Sequence, residues 1–190
     1  MPSLRAVLPL AILLVALVAA QVQAAPPPPR PYSGCGILAA QPVPGAEEAP
    51  LPVYAEPGLQ RIAELGLGQL PRLAGDRQTP IIAVHATRGN WLQLAWDSAG
   101  REGWVEAART WEYRSWDEFL PGRVVRVLPG LKKGLYALRA APREGSAENG
   151  ALTRDQQVRV VQVASDWARL ERPAGWFRWR DGDGRLTVSP

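Results

Sequence analysis

Two stretches of this chain repeat one pattern, and that repeat limits the folds open to it. The first stretch runs through Val53-Tyr54-Ala55-Glu56-Pro57, Trp91 and Gly103-Trp104, the second through Leu138-Arg139-Ala140-Ala141-Pro142, Trp167 and Gly175-Trp176. Short apolar, β-branched runs lie between these landmarks. Ile81 to Ala86 leads through Arg88-Gly89-Asn90 into Trp91-Leu92-Gln93-Leu94-Ala95, and Asp97-Ser98-Ala99-Gly100 turns the chain again. Val158 to Val163 leads through Ser165-Asp166 into Trp167-Ala168-Arg169-Leu170. Short runs of this kind between tight turns read as hairpin strands. The two copies differ in length only in turn-rich stretches, where loops absorb residues cheaply; one such loop is expected over 69–78. The fold class that follows is all-β.

The supply of reactive side chains narrows the chemistry. The 190 residues include one Cys, one His and one Met. That excludes a disulfide framework, a Cys/His zinc site and an iron–sulfur cluster. A Cys–His nucleophilic pair would have to join Cys35 to His85, and His85 alternates with Val84 and Ala86 as an edge or surface strand residue does. No G-x-S-x-G occurs, and no phosphate-cradling glycine motif. Asp181-Gly182-Asp183-Gly184 is similar to the start of a calcium loop, but the later ligands and terminal Glu are missing, so a hairpin turn is expected there. The reading is a protein that is not an enzyme, with no catalytic residue, no metal ligand and no cofactor.

Compartment is read from the N-terminus. Arg5, the apolar run Ala6 to Ala20 and Val22-Gln23-Ala24 have the form of a secretory signal, expected to be cleaved after Ala24. The run is short for a membrane span, which needs about 20 apolar residues, so the membrane is met only if the signal stays uncleaved. The body is expected outside the cytoplasm, periplasmic or secreted. Ser33-Gly34-Cys35 is similar to the end of a lipobox, but Pro26 to Pro31 separates it from the apolar run, so a free or paired thiol is expected instead. Formal net charge is +4, and 20 of the 22 basic residues are Arg. The excess falls after residue 110, but an exported protein is not expected to meet nucleic acid. Residues 25–50 are rich in Pro and read as a polyproline II or disordered spacer.

Each copy of the repeat resembles a bacterial SH3-like (SH3b) domain. The second copy carries the opening Leu138-Arg139-Ala140-Ala141-Pro142, then Gly150-Ala151-Leu152, Val158-Arg159-Val160, Asp166-Trp167 and Gly175-Trp176. The first carries Val53-Tyr54-Ala55-Glu56-Pro57-Gly58, Asn90-Trp91-Leu92-Gln93-Leu94 and Gly103-Trp104-Val105. The resemblance implies two tandem small barrels with a short helical turn between them. The divisions are then a signal peptide at 1–24, a spacer at 25–50, one SH3-like unit at 51–108, an aromatic-rich connector at 109–133 and a second unit at 134–190. Ser115-Trp116-Asp117-Glu118 fits a helix-capping box in that connector, stopped by Pro121. The resemblance also implies binding of cell-wall (peptidoglycan) peptides or of an envelope protein; the alternative is an accessory subunit with no ligand groove of its own.

Eight Trp residues supply the remaining signal. Flat aromatic faces cover apolar parts of sugars and peptides. Trp104 and Trp176, each after Gly, read as fold residues. Tyr54, Trp91, Trp111 and Trp116 are the candidate ligand-binding residues. Trp111, Tyr113, Trp116 and Phe119 crowd one segment, and such a cluster is expected either to pack between the two units or to form a ligand platform.

Overall fold

The computed structural model describes residues 30–41 and 50–190. The signal segment expected at 1–24 lies outside the described residues, and so does half of the spacer at 25–50. Two groups of strands follow one another. The first is β1 (Gly36–Ala39), β2 (Leu51–Glu56), β3 (Leu59–Leu65), β4 (Ile81–Val84), β5 (Ala86–Arg88), β6 (Trp91–Ala95), β7 (Glu102–Glu106) and β8 (Glu112–Ser115). After the single-turn helix α1 (Trp116–Phe119) comes the second: β9 (Val124–Val127), β10 (Ala137–Arg139), β11 (Glu148–Ala151), β12 (Gln157–Ala164), β13 (Trp167–Leu170), β14 (Gly175–Arg178) and β15 (Val188–Ser189). The molecule is all-β, with helix confined to single turns among the described residues.

The repeat read from the sequence is present in the strand order. One sheet runs β3-β2-β7-β6-β5, and the matching part of another runs β11-β10-β14-β13-β12. Outer strand, opening strand, closing strand and central hairpin thus take the same places in both. The likeness goes further than the landmarks do. β4 leaves the first sheet to pair with β1, which pairs with β8; β12 extends past its hairpin to pair with β9, which pairs with β15. All four of these pairings are antiparallel. Each copy therefore has a leading strand before it and a trailing strand after it, and the pairing unit spans 36–115 in the first and 124–189 in the second.

This moves the expected boundaries. The spacer at 25–50 gives residues 30–41 to the fold, and the connector at 109–133 gives β8 and β9. β1 is buried on both faces and carries no polar side chain, as a strand covered on both faces requires, since an unpaired buried polar group is costly. Its sequence, Gly-Ile-Leu-Ala, is short and sits among prolines, so composition hid it. Successive side chains of a strand point to opposite faces, and β1 uses both. Ile37 joins the core built by the second copy with Val125, Val158, Leu170 and Phe177, while Leu38 joins the core built by the first with Val53, Ile82, Leu94 and Val105. The sheets form no closed barrel among the described residues; they are open sheets extended by the leading and trailing strands.

Local chemistry explains the turns. Gly89 and Gly100 take positive φ where the sequence placed turns, at 59° and 78°. Asp97 Oδ1 accepts the Arg101 N–H at 2.9 Å and closes the β6–β7 turn. The loop expected at 69–78 is held by Asp76, whose Oδ1 accepts the N–H groups of Gln78 and Thr79. α1 has the expected capping contact, the Ser115 N–H donating to Glu118 Oε2 at 3.1 Å.

Candidate functional site

The outer face of the β3-β2-β7-β6-β5 sheet gathers aromatic side chains. Residues directly opposite across a strand pair share a face. Tyr54 lies opposite Trp104, and Trp104 lies opposite Gln93. Trp91, two residues before Gln93, lies opposite both Glu106 and Arg88. The other face of these strands holds Val53, Leu92, Leu94 and Val105, all in the core. Alternation in β6, Trp-Leu-Gln-Leu-Ala, thus sends Leu92 and Leu94 inward and leaves Trp91 and Gln93 outside.

The aromatic rings make one cluster. Tyr54 and Trp91 meet edge to face, with centroids 5.3 Å apart and planes at 89°, the arrangement ring quadrupoles prefer. Trp104 is only 8% exposed and forms the floor. The Arg88 guanidinium stands 5.6 Å from the Trp104 ring centroid, within cation–π range. Glu56 Oε2 lies 3.5 Å from Arg88 Nη1, an exposed pair at the border of the rings. Leu59, opposite Glu56, is 66% exposed on the same face. The result is an apolar strip of half-buried rings edged by one acid and one base. Such a strip can cover the apolar face of a peptide or sugar while Glu56 and Arg88 meet its polar groups.

Of the four residues singled out from sequence, the structure brings together Tyr54 and Trp91. Trp111 stands apart, half-buried, and lines a separate hollow of about 360 Å³ with Asn90, Arg109 and Tyr113. Trp116 is corrected as a ligand-binding candidate: it is 2% exposed and lies inside the second core, the packing alternative for its segment. Its Nε1 donates to the Ser33 carbonyl at 2.6 Å, and its ring leans on Trp179 with centroids 5.2 Å apart. Phe119 is buried beside it, while Tyr113 is on the surface. The aromatic segment is therefore divided, with Trp116 and Phe119 in packing. Trp104, a fold residue by its place after Gly103, is also the floor of the strip. Its place follows from the β2–β7 pairing, which joins residues far apart in sequence and leaves no local mark.

Neither reactive side chain meets the other. His85 Nδ1 is 2.7 Å from Glu102 Oε1. The Cys35 thiol instead contacts the Val84 carbonyl and the Tyr113 hydroxyl, each at 3.4 Å. Burial, and then the neighbouring Cys35, push the Tyr113 hydroxyl well above the usual tyrosine pKa. Asp181-Gly182-Asp183-Gly184 forms a turn: Asp181 Oδ1 accepts the N–H groups of Asp183 and Arg185, at 3.0 and 2.9 Å. No group of three or more His, Cys, Asp or Glu side chains suited to a metal occurs among the described residues.

No family model matches the chain, and no curated protein matches it. Among solved structures, the structure of NlpC1 from Trichomonas vaginalis is similar to it, at 8% identity and a TM-score of 0.33, covering 86% of this chain and 48% of that one. This chain spans about half the length of that protein.

Proposed function

We propose that the chain is an exported, non-catalytic binding protein of two SH3-like units, whose Tyr54–Trp91–Trp104 strip takes cell-wall (peptidoglycan) peptides or a protein of the envelope. The aromatic strip carries this reading: rings that a fold alone would turn inward lie on the outer face of a sheet whose inner face is already filled. Glu56 and Arg88 supply an acceptor and a donor for a peptide's charged ends. Cosedimentation with purified sacculi tests it. Wild type is expected to pellet with the wall, and Trp91→Ala to lose about tenfold or more in affinity, the effect of truncating a central aromatic anchor. Absence of wild-type cosedimentation, or a Trp91→Ala protein that pellets as well as wild type, would count against wall binding.

A second reading, an accessory subunit packed on a partner, draws on β3. This is an edge strand, and it exposes Leu59 and Ile62 at 66% and 41%. Exposed apolar residues on a free edge suit strand-to-strand contact with another protein. In that case Ile62→Lys, not Trp91→Ala, is the variant that releases the partner.

A further inference from the structure

We propose that a groove where the two copies meet binds a small organic carboxylate with an apolar body, at a site separate from the aromatic strip. The groove encloses about 620 Å³, within the roughly 300–1,000 Å³ of small-molecule sites. Its floor is apolar: Leu73 and Ile82 come from the first copy, Leu128, Leu186 and Val188 from the second. Ligand sites favour such junctions between packed units.

The polar groups around that floor decide the ligand's charge. Arg72 and Arg185 both line the groove, and neither has a carboxylate within 4.0 Å among the described residues, although the Arg72 charge is felt by Asp76. Arg185 is nevertheless held in place. Its Nη1 donates to the Arg30 carbonyl and its Nη2 to the Tyr32 hydroxyl, both at 3.1 Å, and its guanidinium lies 4.4 Å from the Tyr32 ring centroid. These contacts fix the cation without neutralising it. The side-chain acids of the groove are already engaged, Asp97 by Arg101 at 2.5 Å and Glu102 by His85 at 2.7 Å. Glu102 occupies His85 Nδ1, so Nε2 is the ring nitrogen left to a ligand. The fixed Arg185 guanidinium, with the exposed Arg72 beside the same apolar floor, selects an anionic head on an apolar body, and a carboxylate matches the planar fork of Arg.

Two sources supply that chemistry, a fatty acid and the free C-terminus of an apolar peptide. Calorimetric titration of the full chain separates them, using decanoate and N-acetyl-Leu-Leu as probes, each beside its neutral counterpart, decanol and N-acetyl-Leu-Leu amide. At least one acid is expected to bind, with its neutral counterpart about tenfold or more weaker, as loss of a charge-assisted hydrogen bond requires. The acid that binds names the source. Arg72→Ala is expected to lose a similar factor while keeping the melting temperature, since Arg72 is exposed. Ala99→Trp, which places a large side chain in the groove wall, is expected to block binding. Failure of both acids, equal binding of a neutral counterpart, or undiminished binding by Arg72→Ala or Ala99→Trp would overturn the proposal. Trp91→Ala is expected to leave this titration unchanged, so the groove and the aromatic strip stand or fall separately.

Discussion

Single residues fix how tightly the N-terminal segment is held. At Gly36 a Cβ would sit 2.3 Å from the Arg114 carbonyl oxygen, so the backbones of β1 and β8 approach more closely than any side chain permits. Gly36→Ala is expected to cost about 1–3 kcal/mol, the usual range for overpacking. Gly134→Ala, with nothing within 4 Å of its Cβ, is expected to stay within about 0.5 kcal/mol of wild type. Urea denaturation of the two variants checks the contrast, and equal stabilities would contradict the close approach. Asp181 sets a pH limit on the same segment. Burial opposes its charge, but the Arg185 N–H, the Arg30 guanidinium and the Asp183 N–H outweigh burial and hold its carboxyl below the ordinary value of 3.8. A carboxyl lowered by folding stabilises the fold fully above its unfolded pKa, and that contribution fades as pH falls through the folded value. Asp181→Asn is therefore expected to be less stable than wild type at pH 7, with the gap closing below about pH 4. Thermal melts across pH 2–7 would show it; a gap that does not narrow as pH falls below about 4 would mean the charge is not what matters.

At the scale of elements, β1 is the part most exposed to test. It is only a few residues long, yet both its edges are paired and both its faces are buried. Ile37→Asp would place a charge in the second core without a partner, a change expected to cost at least about 3 kcal/mol. Near-native melting of that variant would show that β1 is dispensable. The same element shows where sequence stops being informative. The central hairpins were legible because Trp91, Trp167 and the turn residues mark them locally, and alternation in β6 and β12 assigns their faces. β1 carries no such mark: Ser33-Gly34-Cys35-Gly36 and the prolines around it have the composition of a linker. Its strand character comes from β4 and β8, which belong to segments about 45 and 76 residues further on and satisfy its backbone. Two of the three rings of the candidate site were legible in the same sense. Tyr54 and Trp91 stood out as aromatics beside turns, whereas Trp104 joins them through a non-local register and Trp116 leaves the surface because Ser33, from the supposed spacer, accepts its Nε1–H.

Across the whole molecule, two copies of one strand order could in principle behave as independent beads, since each has its own core. The connections argue otherwise. Ile37 and Leu38 are adjacent residues of one strand and lie in different cores, so neither core can open without stripping a face from β1. Trp116 adds a second tie. It follows β8 of the first copy, packs against Phe119 and Trp179 in the second core, and bonds to Ser33 of the N-terminal segment. Truncating a buried Trp typically costs about 3–5 kcal/mol, and here the loss falls on three segments at once. Trp116→Ala is therefore expected to lower the stability of the entire body by about that amount, with both copies still melting in a single transition because β1 couples them. Calorimetry reads both quantities from one trace. Two separate transitions in the wild-type protein, with Trp116→Ala moving only one of them, would mean that the shared strand transmits too little free energy to join the copies.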